Sequence, residues 1–150
     1  MTQILFYHLT ETALEEALPI LVEKSLAKPW RVVIQTPDEA KRDALDEHLW
    51  GYRRDAFLPH GKDGDEAAHR HPIFLTTANE NPNQADIRFL VDGSDVPEAL
   101  EVYQRVMVMF DGKNDDAVAR ARTQWKALKD AGHDLAYYKQ TLEGRWEKAA

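Results

Sequence analysis

The chain contains no cysteine among its 150 residues. Disulfide bonds, thiolate metal sites and thiol nucleophiles are therefore excluded, and the composition suits a reducing cytosol. The chain also lacks a long apolar run, and its first residues, MTQILFYHL, carry no basic leader. We therefore expect a cytoplasmic protein with neither a signal peptide nor a membrane span.

Basic residues are scarce relative to acidic ones: 19 Lys and Arg stand against 26 Asp and Glu, which gives a formal net charge of −7. Nucleic-acid-binding proteins usually present a basic surface, so we expect little direct DNA binding. Hydrophobic residues make up 43% and charged residues 30%, which is typical of a globular protein. The length suits a single domain over residues 1–150.

Glycine and serine are missing where catalysis or nucleotide binding needs them. The turn after the first predicted strand is TET at residues 10–12, with no glycine to admit a pyrophosphate. Gly61 and Lys62 lack the preceding glycine of a phosphate-binding loop, and neither Ser25 nor Ser94 stands in a nucleophile elbow. We therefore expect no cofactor and no catalytic residue.

The chain alternates between strand and helix patterns. Apolar runs and helical spacing predict strands at 3–9, 31–36, 57–60, 73–77, 86–91 and 105–110, and helices at 12–26, 39–50, 97–102 and 114–131. Thr12 with Glu15 resembles a capping box for the first helix, and Asp38 is a candidate cap for the second. In the last long helix, Asn114 or Asp115 is a candidate cap and Gly132 is the predicted stop. Residues 61–71 are predicted to form a loop, and residues 133–150 are ambiguous. The alternation indicates an α/β fold with a mostly parallel sheet flanked by helices.

Histidines and carboxylates cluster in the predicted loop and just before it. The cluster comprises His48, His60, Asp63, Asp65, Glu66, His69 and His71. Imidazole and carboxylate are suitable zinc ligands, so a small α/β metal- or nucleotide-binding enzyme using loop 60–71 is the alternative hypothesis. The spacing fits no defined ligand pattern, which favours a solvated loop and no metal site.

The last long predicted helix carries a basic stripe. At 3.6 residues per turn, one side presents Val118, Ala121, Trp125 and Leu128 to the core. Beside it, positions i, i+4 and i+7 are Arg122, Lys126 and Lys129, and no acidic residue occurs between Ala117 and Lys129. Such a stripe is often only a solvated face, but on an acidic protein it favours a small acidic partner docking beside an aromatic residue.

Residues 49–60 concentrate large apolar side chains around a predicted helix end. Trp50 and Phe57 belong either to the core or to a protein-binding patch, and a self-interface of an oligomer is a third interpretation. Pro59 cannot donate a ladder hydrogen bond, which places the short strand around it at a sheet edge. We therefore expect Phe57 to face a partner and Trp50 to be partly buried.

Eight segments form an ordered pattern over nearly the whole chain. They are LDEHLW (45–50), FLPHG (57–61), PIFLT (72–76), NPN (81–83), FLVDG (89–93), RTQWK (122–126), AGHDL (131–135) and YY (137–138). Each is weak alone, but their order and spacing are specific. With these segments the chain resembles the chi subunit family of bacterial DNA polymerase III. The resemblance implies a single three-layer, Rossmann-like domain over residues 1–150 without nucleotide chemistry.

The resemblance also implies a role and a binding site. Chi-like proteins are non-catalytic accessory subunits that link the clamp loader to single-stranded-DNA-binding protein. They grip the acidic C-terminal tail of that protein, which ends in a phenylalanine with a free carboxylate. The family's tail site corresponds here to Arg122, Trp125 and Lys126, and the stripe adds Lys129. An earlier position that is basic in the enterobacterial form is Val118 in this chain.

A second surface of the family binds the psi subunit or a helicase that competes for it. This surface corresponds here to Trp50, Phe57, Leu58 and Pro59. Since psi is narrowly distributed among bacteria, the resemblance leaves the partner at this surface open: a psi-like clamp-loader subunit, a helicase or another protein.

Overall fold

The computed structural model describes residues 2–28, 30–50, 60–64, 71–78, 80–97 and 99–150. Within these residues the elements are β1 Gln3–Leu9, α1 Leu14–Ala27, β2 Val32–Gln35, α2 Glu39–Trp50, β3 His60–Lys62, β4 Ile73–Thr76, β5 Ile87–Val91, β6 Arg105–Asp111, α3 Asp115–Asp130, β7 Asp134–Gln140 and β8 Trp146–Lys148. None of the helices formed by these residues has the length and apolar content that a membrane crossing requires.

The eight described strands join one sheet in the order β3-β4-β2-β5-β6-β1-β7-β8. Neighbours from β3 through β7 pair in parallel, and β8 pairs antiparallel with β7. The carboxyl ends of the parallel strands therefore share one edge of the sheet. The expected α/β fold with a mostly parallel sheet is confirmed.

The two faces of the sheet bury different helices because side chains alternate along each strand. In β1, Leu5 and Tyr7 pack into a core with α1 and α2, whereas Ile4 and Phe6 pack into a second core with α3. The result is the predicted three-layer, Rossmann-like arrangement, with α1 and α2 on one face and α3 on the other.

The helix starts differ in how their N–H groups are satisfied. Asp38 caps α2 as predicted, since its Oδ1 accepts from a backbone N–H of the first turn at 2.8 Å. The predicted capping box of Thr12 and Glu15 is wrong, because α1 is preceded by Ala13 and has no side-chain cap. The Thr12 hydroxyl instead accepts a hydrogen bond from Gln140 Nε2 at 2.8 Å. A tertiary contact has replaced the local one.

The predicted helix at 97–102 is also wrong. The described residues there form an irregular segment and a turn. The Thr2 hydroxyl donates to the carbonyl oxygens of Leu100 and Tyr103, at 2.9 and 2.8 Å. Both of these side chains are buried. The segment is therefore held by long-range contacts that helical spacing does not reveal.

Gly61 and Lys62, predicted to lie in a loop, belong to the edge strand β3, which pairs with β4. Lys62 Nζ lies 3.1 Å from Asp43 Oδ1 and 3.7 Å from Asp46 Oδ2, both on α2. A three-residue strand held by ion pairs has no alternation of apolar residues, so the sequence pattern did not predict it. Of the strand predicted at 57–60, residues 57–59 lie outside the described residues, and His60 begins β3.

The ambiguous tail forms the hairpin of β7 and β8. β7 adds to the open side of β1, and Tyr7 stacks on Tyr138 with ring centroids 5.3 Å apart. The tail therefore completes the sheet rather than extending from it.

A fully buried cation lies on the α3 face of the sheet. The Arg88 guanidinium donates to Gln35 Oε1 through Nε and Nη2 and to Tyr103 Oη through Nη1. The backbone carbonyls of Ala78 and Glu80 accept its remaining N–H groups. Burial lowers the pKa of Arg88. All five donors are used, and no described carboxylate pairs with them.

We expect Arg88→Met to lower the free energy of unfolding by about 3–5 kcal/mol, because several buried acceptors lose their donors at once. Urea denaturation measures the change. The exposed Arg145 provides the control, since Arg145→Met is expected to stay within about 0.5 kcal/mol of the parent chain. An Arg88→Met change below about 1 kcal/mol contradicts the assigned network.

Candidate binding site on the third helix

The ends of α3 are determined by local sequence. Asn114 Oδ1 accepts from the backbone N–H groups of Asp116 and Ala117 at 3.0 and 3.1 Å. Asp115 and Asp116 in the first turn complement the helix dipole. Gly132 follows the helix with φ of +86°, a conformation that favours glycine. The predicted helix and its signals are confirmed.

The orientation of α3 also follows the prediction. Ala121 and Leu128 are buried against the sheet, and Val118 and Trp125 are half-buried at the margin of that core. The side chains of Arg122, Lys126 and Lys129 are exposed. None of the three forms an ion pair with another described residue. The basic stripe therefore faces solvent beside an aromatic ring.

Trp125 belongs to an aromatic cluster that it forms with side chains of three adjacent strands, β1, β6 and β7. Its ring meets Phe6 of β1 edge-on at 5.3 Å and Tyr137 of β7 edge-on at 5.7 Å. Phe110 of β6 lies 6.2 Å from Tyr137 and 4.9 Å from His8. We call these five residues the aromatic cluster. It supplies an apolar floor next to the stripe.

A histidine–tyrosine hydrogen bond lies within this cluster. His8 Nδ1 is 2.5 Å from Tyr137 Oη. The pKa of His8 is lowered by burial first, then by the charge of Lys139 and, more weakly, Arg122, while Asp111 acts in the opposite direction. Burial raises the pKa of Tyr137, and the charge of Arg122 offsets part of that rise. Arg122 and Lys139 therefore direct positive potential at the cluster from α3 and from β7.

Arg120 lies on another flank of α3. It forms an ion pair with Asp95, in the loop after β5. Gln124 Nε2 donates to the carbonyl of Ser94 in the same loop at 3.2 Å. Arg120 is thus engaged away from the stripe.

The turn where a Rossmann-like fold would hold a phosphate is occupied by the chain itself. Gln140 Oε1 accepts from the backbone N–H groups of Thr10, Glu11 and Thr12 at 3.0, 2.9 and 3.2 Å. Consecutive N–H groups of this kind are the usual anion cradle. A neutral amide oxygen of β7 takes the position of the anion, which agrees with the absence of a glycine motif.

A cleft of about 760 Å³ opens at the carboxyl ends of β2, β5 and β6. Its charged lining residues are Asp92, Asp95, Asp111, Asp116, Lys41 and Arg120. Burial raises the pKa of Asp92, and the charge of Lys41 opposes that effect. Because carboxylates outnumber cations, the cleft repels phosphate groups, which argues against nucleotide binding there.

The described part of the histidine-rich loop has structural contacts. His60 is buried with Nε2 3.0 Å from Asp46 Oδ1. The Asp63 carboxylate accepts from the Thr76 hydroxyl at 2.7 Å and from Arg42 at 3.0 Å. No group of three potential metal ligands occurs within the described ranges. Outside them lie Asp65, Glu66 and His69.

The second predicted surface is only partly within the described residues. Trp50 ends α2, whose Leu45 and Leu49 are buried against the sheet. Phe57, Leu58 and Pro59 lie outside the described residues. The placement of this surface stays a prediction.

Sequence reasoning missed four residues of the α3 site: His8, Phe110, Tyr137 and Lys139. They lie on β1, β6 and β7, far apart in sequence but in register across neighbouring strands. A tyrosine in an unassigned tail and a histidine at a strand end carry no local signal of proximity. Assigning the tail as a strand next to β1 would have brought them together.

The fold and site define a class: a Rossmann-like α/β protein whose phosphate turn is filled internally and whose last helix presents a basic stripe beside aromatic rings. The profile of the family described as "DNA polymerase III chi subunit, HolC" matches residues 1–136. The chain therefore belongs to the chi subunit family of DNA polymerase III, an accessory subunit of replication.

Curated relatives agree with this assignment. The "probable DNA polymerase III subunit chi" of Rickettsia prowazekii is 30% identical over 117 residues, covering 74% of this chain and 71% of that protein. The DNA polymerase III subunit chi of Pseudomonas aeruginosa is 30% identical over 90 residues, covering 58% and 62%. That of Haemophilus influenzae is 25% identical over 134 residues, covering 87% and 92%.

We expect a proton NMR titration to place the pKa of His8 below its ordinary value of 6.5. Lys139→Ala should raise this pKa more than Arg122→Ala does, because the charge of Lys139 has the larger effect. Since the folded-state pKa is depressed, the unfolded chain binds the proton first. The contribution of His8 to stability is therefore complete above pH 6.5 and is lost as pH falls below it. Equal pKa values in all three proteins would contradict the assigned electrostatics.

Proposed function

We propose that this chain is a non-catalytic adaptor of the DNA polymerase III holoenzyme, acting in the cytoplasm. It links the clamp loader to single-stranded-DNA-binding protein by binding the acidic C-terminal tail of that protein. One observation carries the proposal: on a chain of net charge −7, exposed Arg122, Lys126 and Lys129 border the half-buried Trp125. An acidic peptide with a terminal aromatic residue complements both features.

The dimensions of the stripe suit an extended peptide. From Arg122 to Lys129 the helix rises about 10 Å at 1.5 Å per residue. An extended peptide advances about 3.3 Å per residue, so the stripe spans about three residues of the tail. Arg122 can form a bidentate pair with a carboxylate. Lys126 and Lys129 then supply point charges for the preceding acidic residues.

The aromatic cluster supplies the other half of the recognition. The terminal phenylalanine ring packs at the margin formed by Trp125, Tyr137 and Val118, where the α3 core meets solvent. Lys139 and Arg122 flank this margin, so the terminal carboxylate finds positive potential on both sides. Val118 extends the apolar floor but removes one charge–charge contact that the enterobacterial form would make.

The second partner binds at the surface around Trp50, Phe57, Leu58 and Pro59. It is a psi-like clamp-loader subunit or a helicase. The helix that ends at Trp50, α2, packs on the opposite face of the sheet from α3. A partner bound beside α2 would leave the α3 stripe accessible, so the chain would hold both partners at once, as an adaptor must.

We expect a peptide ending in Asp-Ile-Pro-Phe to bind with micromolar affinity, about −8 kcal/mol, in calorimetry. Affinity should fall as salt rises, because exposed charge pairs are screened over about 10 Å at 0.1 M. Arg122→Ala with Lys126→Ala should abolish measurable binding while leaving the melting temperature nearly unchanged.

The matched control is Arg145→Ala with Lys148→Ala, which removes the same charge from exposed positions at the C-terminal hairpin. It should retain the affinity of the parent chain. Equal affinity of the Arg122 and Lys126 double variant and the parent chain would reject the tail site.

For the second surface, we expect Phe57→Ala to keep the melting temperature of the parent chain and to lose capture of a purified clamp-loader or helicase component. A partner-facing ring contributes to binding rather than to folding. Phe74→Ala is the core control, because Phe74 is buried and its truncation should lower stability by about 3–5 kcal/mol. A large drop in melting temperature for Phe57→Ala, with capture retained, would show a core residue instead.

A further inference from the structure

A groove runs between α1 and the β7–β8 hairpin, on the face of the sheet opposite α3. It consists of two adjoining cavities of about 380 and 450 Å³ that share Lys24 and Trp146. We call it the α1 groove. Each cavity has the size of a small-ligand site, and their shared wall makes the whole elongated. Its shape suits a linear ligand rather than a compact one.

Aromatic rings line the first cavity of the α1 groove. Tyr7 and Tyr138 stack with centroids 5.3 Å apart, and Trp146 meets Tyr7 edge-on at 4.8 Å. Trp30 lines the same cavity and is half-buried. Burial raises the pKa of Tyr7 to about 12 despite the opposing charge of Arg105, so its phenol stays protonated as a hydrogen-bond donor.

Cations are interleaved with these rings. Lys28 Nζ lies 4.8 Å and Arg105 Cζ 5.2 Å from the centroid of the Trp30 ring. Lys24 adds a third positive charge, and no carboxylate is among the described residues that line the first cavity. In the second cavity, Arg145 and Glu16 balance each other, and the shared Lys24 leaves a net positive charge. On a protein of net charge −7 this concentration of cations is local.

We propose that the α1 groove binds nucleotides of single-stranded nucleic acid. Grooves that hold single strands combine cations for the phosphates with aromatic rings on which bases stack. Here Lys24, Lys28 and Arg105 provide the first feature, and the half-buried rings of Trp30 and Tyr138 provide the second.

The affinity of this contact is low in the isolated chain, because its overall negative charge repels the phosphates. The fraction of chains that make this contact rises when a second interaction holds the chain beside a single strand, since tethering raises the local concentration. Weak binding therefore agrees with the expectation of little direct DNA binding. The proposal is independent of the tail site, which lies on the other face of the sheet.

The test measures fluorescence anisotropy of a labelled oligothymidylate at low ionic strength with the full chain. Lys24→Glu with Lys28→Glu should weaken binding about tenfold or more, since two phosphate contacts become repulsive. The control, Lys41→Glu with Lys113→Glu, makes the same charge change at exposed positions elsewhere and should weaken binding far less. Equal losses of affinity in the two variants would show that net charge alone causes the effect. That result would overturn the proposal that the groove binds the strand.

Two further arms identify the ligand. A longer strand should bind many-fold more tightly than thymidine monophosphate, and equal affinities would overturn the assignment to a strand. The Lys24 and Lys28 double variant should bind the acidic Phe-terminated peptide as the parent chain does. If this double variant no longer bound the peptide, the groove would be a peptide site and the proposal would be wrong. Loss of peptide binding in the α3 variants alone would support the proposal.

A spectroscopic readout separates binding from misfolding. The indole N–H signals of Trp30 and Trp146 should shift on addition of the oligothymidylate, whereas that of Trp125 should not. All variants should keep the melting temperature of the parent chain, because Lys24 and Lys28 are exposed. No shift and no anisotropy change with the parent chain would overturn the proposal outright.

Discussion

The insertion of β1 between β6 and β7 is the constraint on which the rest of the structure depends. Parallel pairing on both sides sets Phe6 and His8 beside Phe110 on one neighbour and Tyr137 on the other. The same register places Tyr7 beside Tyr138 on the opposite face. One strand therefore supplies the floor of the α3 site and the wall of the α1 groove. A shift of one residue in its register would exchange the two faces and dismantle both.

Ligands of open α/β sheets usually bind at the carboxyl edge of the strands. In this chain Gln140 fills the first turn at that edge, and acidic residues surround the neighbouring cleft. The exposed cations lie instead on the two faces of the sheet. One group is on the outer flank of α3, and the other lines the α1 groove. This distribution of charge disfavours the binding of phosphate groups at the strand ends. The candidate binding sites therefore lie on the two faces of the sheet and not in the cleft at the strand ends.

Local signals predicted the helices that matter most and the faces they present. The Asn114 cap, the Gly132 stop and the spacing of the basic stripe all lie within one short stretch of sequence, so α3 could be read directly. The partners of that stripe could not, because His8 and Tyr137 meet only through pairing of strands from opposite ends of the chain. The capping box failed for the same reason, since the Thr12 hydroxyl accepts a hydrogen bond from the distant Gln140 side chain instead of capping α1.

Because the chain is synthesised from its N-terminus, β1 is made long before the two strands with which it pairs. β1 is complete at Leu9, but its neighbours begin only at Arg105 and Asp134. During that interval an apolar strand has both edges unpaired, which is the state that favours intermolecular strand pairing. Contacts so distant in sequence also make folding slow. Both edges of β1 therefore stay open to such pairing until β6 and β7 have been synthesised.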